Sequence, residues 1–207
     1  MPRATAASTR DRILDVTAEL VRSVGLVTLT TREIARAAGL TEAALYRHFK
    51  SKEDLITSVL AERLPVFIEL LKDLPQHVGD STVPDNLRRV AEAAVPFYRQ
   101  AMPMLAATFS DPNLLVRHRV WMQQKELGPQ RANLALASYL RGEIELGRLA
   151  SSLHVEAAAA MLLGACQQRA FFDEFMGRPV DTGEIAAFAA AIIDTLMAAA
   201  QPRPPAV

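Results

Sequence analysis

The stretch that decides the fold runs from Thr30 to Phe49 and reads TTREIARAAGLTEAALYRHF. Its apolar residues recur three or four positions apart in two short segments, which is the spacing of one face of a helix. Gly39 stands between the segments, and glycine readily adopts the left-handed backbone of a tight turn. The stretch therefore predicts two short helices, from Thr31 to Ala38 and from Thr41 to Phe49, joined as a helix-turn-helix.

The apolar spacing also predicts which side of each helix is buried. Ile34, Ala35 and Ala38 face inward from the first helix, and Leu45 and Phe49 face inward from the second. The N-terminal half of the second helix is then exposed, in the way that suits entry into the major groove of DNA. Its outer face carries Thr41, Glu42, Ala43, Ala44 and Arg47.

Residues 8–64 resemble the DNA-binding domain of the TetR family of transcriptional regulators. The resemblance rests on TTREIA (residues 30–35), AGLT (38–41) and, most specifically, LYRHFKSKEDL (45–55). In that family the remainder of the chain is an all-helical domain that binds an effector and dimerises. The resemblance implies a homodimer that binds a palindromic operator in double-stranded DNA and responds to a small-molecule effector.

The resemblance also implies a role for individual side chains at the DNA. The residues that match base-facing positions are Arg32, Glu42, Ala43, Ala44 and Arg47. Those that match phosphate contacts are Thr31, Thr41, Tyr46, His48 and Lys52. The acidic Glu42 needs a hydrogen-bond donor near DNA, and the N4 amino group of cytosine is one.

Each of these roles has a structural alternative. Tyr46 and His48 could pack their rings against the fourth helix instead of contacting phosphate. Glu42 could be a solvated residue of the first helical turn, and the two base-facing arginines could be ordinary surface residues. The convergence of Lys52 and the helix start at Ser51 on the same face favours the phosphate role for the two aromatic side chains.

Helical periodicity continues on both sides of this stretch, and no segment alternates apolar and polar residues over the length of a strand. The first helix is predicted to end at Gly25, and the fourth begins after Ser51, which forms a capping box with Asp54. Pro65 falls inside the fourth helix and predicts a kink there. The prediction is an all-α protein with about nine helices.

Beyond residue 75, cap and breaker residues predict the helix boundaries. The predicted helix starts are Thr82 with Asp85, Pro103, and Asp111 with Pro112. The helices that close the fold run from Val155 to Met176, ended by Gly177, and from Thr182 to Ala200, capped by Asp181. Both are rich in small residues, which allows two copies to pack closely as a four-helix bundle across a two-fold axis.

Four segments follow from these boundaries: a flexible N-terminus (1–7), a helix-turn-helix DNA-binding domain (8–56), an effector-binding and dimerisation domain (57–200) and a disordered, proline-rich tail (201–207). The larger domain holds aromatic and methionine side chains that can line an apolar pocket with a few polar groups. The candidate pocket residues are Phe97, Tyr98, Met102, Phe109, His118, Trp121, Met122, Gln167 and Phe171. For any one of them the alternative is plain core packing.

Composition restricts the class of protein. Half of the residues are hydrophobic (50%), and 23 basic side chains balance 23 acidic ones, so the chain is not a polycation that coats nucleic acid. A lone Cys166 excludes an intrachain disulfide. The N-terminus lacks the apolar core of a signal peptide, and the longest apolar run, 157–166, is too short to span a bilayer. These features predict a cytoplasmic protein that does not bind a membrane.

No motif supports catalysis, a metal site or a cofactor, because HExxH, GxSxG, GxGxxG and the P-loop pattern are all absent. The expected function is that of a ligand-responsive transcriptional repressor. Two alternatives stay open. One is an α-helical carrier or enzyme for apolar small molecules with a vestigial helix-turn-helix, and the other is a DNA-binding organiser without an effector.

Overall fold

A computed structural model describes residues 8–24, 29–63, 65–124 and 128–200. Over these residues the chain forms α-helices and contains no strand, so the all-α prediction is confirmed. The ten α-helices of this part of the chain are α1 (Thr9–Val24), α2 (Thr31–Ala37), α3 (Glu42–Tyr46), α4 (Lys52–Arg63), α5 (Pro65–Asp73), α6 (Val83–Ser110), α7 (Pro112–Gln124), α8 (Gln130–Glu145), α9 (Val155–Phe175) and α10 (Thr182–Ala200). A short 3-10 helix, Leu74–His77, follows α5.

The chain divides into two compact units. The first unit lies within Met1–Pro65 and Gln100–Lys125, and the second within Val66–Arg99 and Glu126–Val207. Helix α4 and the end of α6 with α7 therefore fold together with the helix-turn-helix. The functional division at residue 57 follows a different line and stays a prediction.

The core of the first unit is built from α1 to α4. Leu45 and Phe49 come from the second helix of the predicted motif, and both are buried as the periodicity required. They pack in one cluster with Ile13 of α1, Ile34 of α2 and Leu55 of α4. Because a buried Phe stabilises a fold by roughly 3–5 kcal/mol relative to Ala, this small core fixes how α3 is presented.

The core of the second unit contains a buried polar network beside its apolar cluster. Tyr139 of α8 is fully buried and accepts a hydrogen bond from Asn86 Nδ2 at 3.0 Å. The buried Glu143 accepts one from the backbone N–H of Gly79 at 3.1 Å and pairs with Arg148 Nε at 3.2 Å. These bonds tie α6, through Asn86, and the segment before it, through Gly79, to α8, and the network has no counterpart in the sequence predictions.

The predicted caps are confirmed where the structure describes them. Ser51 Oγ accepts from the backbone N–H of Asp54 at 3.1 Å, and Thr82 Oγ1 accepts from that of Asp85 at 3.2 Å. Asp111 caps α7 and Asp181 caps α10 through their Oδ1 atoms, which accept backbone N–H groups at 2.8–3.2 Å. The predicted end of the first helix at Gly25 lies outside the described residues.

One of the two predictions about proline is corrected. Pro103 does not begin a helix, because α6 runs through it from Val83 to Ser110. An internal proline removes one backbone hydrogen bond, and the buried side chains of Ala101 and Thr108 keep the helix packed on both sides of it. The kink predicted at Pro65 stays a prediction, because α4 is described as far as Arg63 and α5 from Pro65, and residue 64 between them lies outside the described residues.

Helix α10 is apolar and exposes most of its length within one chain. By length and composition alone this helix could cross a membrane. Only 22% of its most apolar stretch is buried within the protein. An uninterrupted apolar run does not identify this helix, because Asp194 interrupts its apolar residues. An apolar helix that packs against another protein surface meets the same description.

Candidate DNA interface

A capping box starts the first helix of the helix-turn-helix. Thr30 Oγ1 accepts from the backbone N–H of Glu33 at 3.2 Å, and the Glu33 carboxylate accepts from the backbone N–H of Thr30 at 2.8 Å. These hydrogen bonds from Thr30 lower the pKa of the Glu33 carboxyl. The box fixes the direction in which the chain enters α2.

The turn between α2 and α3 has the geometry that its glycine predicts. Gly39 adopts φ +67°, and the next residue, Leu40, donates its N–H to the carbonyl of Ala35 at 2.8 Å. This is the arrangement of a Schellman motif, which needs a residue in the left-handed region at the position of Gly39. Thr41 then caps α3, its Oγ1 accepting from the N–H of Ala44 at 3.2 Å.

Helix α3 is shorter than predicted but presents the predicted face. It ends at Tyr46, and the chain continues in a turn that brings Phe49 into the core. The exposed predicted DNA contacts of this region are Arg32, Thr41, Glu42, Ala43, Tyr46, Arg47 and His48, and Thr31, Ala44 and Lys52 are half-buried. Tyr46 is 46% exposed, so it is not packed away against the fourth helix, and the exposed His48 is not either.

Three of these side chains form one hydrogen-bonded chain. Thr31 Oγ1 donates to Glu42 Oε1, and Tyr46 Oη donates to Thr31 Oγ1 at 3.4 Å. The chain joins the first residue of α2 to the first and last residues of α3. It therefore links two predicted phosphate contacts to a predicted base contact.

Lys52 is the first residue of α4. Its side chain is half-buried, and this burial lowers the pKa of the ammonium group, while the nearby Glu53 and Glu33 act to raise it. A half-buried lysine stem holds its charged end in a more restricted position than a fully exposed one.

The sequence reading missed the contacts that hold α1 and α4 around α3. Arg10 of α1 makes two hydrogen bonds to the Glu62 carboxylate of α4, at 2.5 and 2.6 Å, and these raise the pKa of the guanidinium. The same guanidinium lies 5.1 Å from the centre of the Phe49 ring. The two charged residues are 52 positions apart, so no short-range pattern could have paired them.

Helix α7 contacts α4 within the same unit. Arg117 donates to the Glu53 carboxylate at 2.8 Å, and His118 Nδ1 lies 3.5 Å from Thr57 Oγ1. Burial raises the pKa of the Glu53 carboxyl, but hydrogen bonds with Ser51 and Arg117 lower it on balance. Burial lowers the pKa of His118. The predicted pocket residue His118 therefore lies beside α4, the helix that follows α3.

The candidate pocket residues are divided between the two units. The first unit contains Met102, Phe109, His118, Trp121 and Met122, and the second contains Phe97, Tyr98, Gln167 and Phe171.

Within the second unit, Phe97 and Tyr98 pack against Phe67, with ring centres 4.8 and 5.7 Å apart, and burial raises the pKa of Tyr98 to about 12. Gln167 and Phe171 lie on the exposed side of α9. In the first unit Phe109 is 67% exposed, and the side chain of Trp121 lies outside what the structure describes. The pocket stays a prediction.

Two family models match most of the chain. Residues 13–59 match the model described as bacterial regulatory proteins, tetR family, and residues 103–201 match the C-terminal domain of AefR-like transcriptional repressors. The chain belongs to the TetR family of transcriptional regulators. The resemblance first seen in the helix-turn-helix is thereby confirmed.

Similar proteins agree with the two models. The regulator AcrR of Shigella flexneri is 36% identical over 100 residues, which cover 41% of this chain and 46% of AcrR, so the match spans less than half of that relative. A TetR-family regulator from Mesorhizobium loti has the same fold, with a TM-score of 0.73 at 17% identity over 93% of this chain and 96% of that one. FadR from Bacillus subtilis, solved with stearoyl-CoA, has a TM-score of 0.67 at 20% identity over 89% of this chain and 96% of that one.

Proposed function

We propose that this protein is a transcriptional repressor that binds a palindromic DNA operator as a homodimer and is released by an apolar small molecule. The single observation that carries the proposal is the presentation of α3. Two caps and one left-handed turn fix its backbone, Leu45 and Phe49 anchor its inner side, and polar side chains occupy its outer side. A short, rigidly held helix with an exposed polar N-terminal half suits the major groove.

The predicted DNA-contacting side chains of this region divide into two chemical groups. Arg32, Glu42 and Arg47 have the donors and acceptors that distinguish base edges, and Ala43 and Ala44 allow close approach. The side chains assigned to phosphate are hydroxyls and cations, which position a protein on the duplex and do not read its sequence. The members of this second group are Thr31, Thr41, Tyr46, His48 and Lys52.

Dimerisation is supported by an exposed face on α9. The exposed residues Ala157, Met161, Gly164, Gln168, Phe171 and Phe175 follow each other at alternating steps of four and three. This is the repeat with which helices pack along each other in bundles. Met161 is 70% exposed and Phe175 is 74% exposed in a single chain. An isologous interface would bury these apolar side chains and remove them from water.

Helix α10 has a second exposed face with the same repeat, made of alanines and of two carboxylates that pair with Arg169 and Arg88. Its exposed residues Glu184, Ala187, Ala191, Asp194 and Ala198 follow the same alternating steps. Two helices from each protomer would form a four-helix bundle across the two-fold axis. The axis would also relate two copies of α3, so each dimer would read two half-sites of opposite orientation.

The effector that we propose is an apolar small molecule. The packed rings of Phe67, Phe97 and Tyr98 in the second unit offer an apolar wall, and FadR, a protein of the same fold, was solved with stearoyl-CoA. Release would follow from linkage, since an effector that binds better to the DNA-incompetent arrangement weakens operator binding by the same factor by which DNA weakens effector binding.

The test is fluorescence anisotropy with a labelled duplex from the region upstream of the protein's own gene and a scrambled duplex of equal composition. We expect tighter binding to the upstream duplex and its release by an effector with an apolar moiety, with stearoyl-CoA, whose acyl chain is apolar, as the first probe. Equal, weak binding to both duplexes, together with tight binding of the acyl-CoA, would instead support the carrier with a vestigial helix-turn-helix. Regulators of this family are not enzymes in general, and no observation here favours catalysis.

A further inference from the structure

The hydroxyl of Thr31 has a single proton, and a hydrogen bond within the protein already uses it. Thr31 Oγ1 donates to the Glu42 carboxylate and accepts from Tyr46 Oη at 3.4 Å. A threonine hydroxyl offers one donor and two acceptor positions. Thr31 can therefore donate to a DNA phosphate only after it has released Glu42.

The carboxylate adds an electrostatic obstacle. While Glu42 accepts the hydrogen bond from Thr31, its negative charge lies next to the hydroxyl that would approach a phosphate. The carboxylate and the phosphate would then repel each other. Glu42 is exposed and Thr31 is half-buried, so the carboxylate is the partner that can turn away. The base-facing role of Glu42 and the phosphate-facing role of Thr31 are thus mutually dependent.

We infer that the Thr31–Glu42 hydrogen bond couples base readout to phosphate contact. This inference rests on the proposed DNA binding. At a matching site, a base-edge donor such as the N4 amino group of cytosine draws Glu42 away from Thr31, and the released hydroxyl donates to a phosphate. On other DNA no such donor is in place, Glu42 stays on Thr31, and the phosphate contact is not made.

The consequence is a departure from the usual division of labour at DNA. Phosphate contacts ordinarily strengthen binding to all sequences alike. Here a phosphate-contacting residue, Thr31, acts on the selected sequence only, so it contributes to specificity although it touches no base. Glu42 contributes twice, through its own base contact and through the contact that it withholds elsewhere.

The experiment measures the affinity of four proteins for two duplexes. The proteins are the wild type, Thr31→Val, Glu42→Ala and the double variant. One duplex carries the sequence that the wild type selects from random DNA, and the other is the same sequence scrambled. We expect Thr31→Val to weaken binding to the selected duplex by about ten-fold and to leave binding to the scrambled duplex unchanged.

The double variant separates coupling from a simple loss of contact. In Glu42→Ala the hydroxyl is released on every DNA, so binding to the scrambled duplex should strengthen by about three- to ten-fold. Adding Thr31→Val to Glu42→Ala should then weaken binding to both duplexes by the same factor. Ser23→Ala on α1, which removes an exposed hydroxyl bonded only to its own helix, is the control and should change neither affinity.

Two results would overturn the inference. One is an equal loss on both duplexes when Thr31→Val is made in the wild type, and the other is no loss on either. Thr30 supplies the cap of α2, so Thr31→Ala serves as a second, helix-compatible variant if Thr31→Val does not fold. If the wild type does not distinguish the two duplexes at all, the proposed function fails instead.

Discussion

The two exposed surfaces to which we assign functions are chemically opposite. Around α3 the surface is polar. Its side chains are held by caps and by the hydrogen bonds that Thr31 makes to Glu42 and accepts from Tyr46. On α9 and α10 the surface consists mainly of Ala, Gly, Met and Phe, with polar side chains only at Gln168, Glu184 and Asp194 among the face residues, and two of its rings, Phe171 and Phe175, stack 5.7 Å apart. The first surface depends on the direction of individual hydrogen bonds, whereas the second depends on shape and area. Substitutions in the two regions should therefore fail in different ways.

The largest effect is expected on the apolar surface. Met161→Glu combined with Phe175→Glu places charges on the α9 face, so the protein should become a monomer and bind only one half-site. We expect operator affinity to fall by about 100-fold or more, because the second half-site no longer adds to binding. Light scattering measures the mass, and anisotropy with the operator measures the affinity.

Leu134→Glu is the matched control for this pair. Leu134 lies on α8 in the same unit, is 58% exposed and belongs to neither proposed interface helix, so its variant should stay dimeric. A dimeric Met161→Glu/Phe175→Glu protein with unchanged affinity would remove α9 from the interface. Gly164→Trp sharpens the comparison, because a Cβ atom at Gly164 would have no neighbouring atom within 4 Å in one chain, while an indole ring there would separate two packed helices.

The next effect is a contrast within the polar surface. Lys52→Ala should weaken binding to all sequences alike and reduce the slope of log affinity against log salt by about 0.9. Arg47→Ala should change which sequence is preferred, with a cost of about 1–3 kcal/mol at the affected base pair. Salt titrations on selected and scrambled duplexes separate the two outcomes, and the reverse pattern would exchange the two assignments.

A smaller effect concerns the stability of the first unit. Arg10→Ala removes the paired hydrogen bonds to Glu62 and the contact with Phe49, and we expect the free energy of unfolding to fall by about 1 kcal/mol, a value limited by the partial exposure of both charges. Chemical denaturation measures it. Arg141→Ala, which breaks a more exposed pair with Glu156, should have almost no effect, and equal losses in the two variants would contradict the support given to α3.

The smallest effect depends on pH. Burial lowers the pKa of His118, so the folded state favours the neutral ring. That contribution is complete above the unfolded pKa of about 6.5 and is lost as the pH falls from there toward the folded value. We expect His118→Gln to lose less stability than the wild type between pH 7.5 and 5, by about 1 kcal/mol or less. Identical pH profiles for His118→Gln and the wild type would contradict the prediction.

Sequence reasoning succeeded where geometry depends on a few neighbouring residues. Ser51 with Asp54, Thr82 with Asp85, and Gly39 at its turn each determine a local backbone within about five positions, so the residues alone predict the result. The same holds for the buried side of α3. These elements define the candidate DNA interface, and for this reason its exposed face could be predicted in advance.

It failed or stopped short where the outcome depends on distant partners. Proline is common at helix starts, so the residues near Pro103 predict a start there. Packing against distant parts of the fold instead keeps α6 continuous through Pro103, and the local sequence does not show that packing. Phe171 stays a predicted pocket residue, and its exposed position on α9 depends on the neighbours of α9, which its aromatic character does not predict. The Thr31–Glu42 contact joins two helices across the turn. Neither residue type predicts this contact.

The central claim is that α3 of each protomer reads one half of a two-fold symmetric DNA site. Selection of bound sequences from a pool of random duplexes tests it most directly. The account predicts enrichment of one consensus made of two inverted half-sites, and loss or change of the bases in both halves when Arg47→Ala is used. An enriched sequence without two-fold symmetry, or no enrichment over the starting pool, would contradict it.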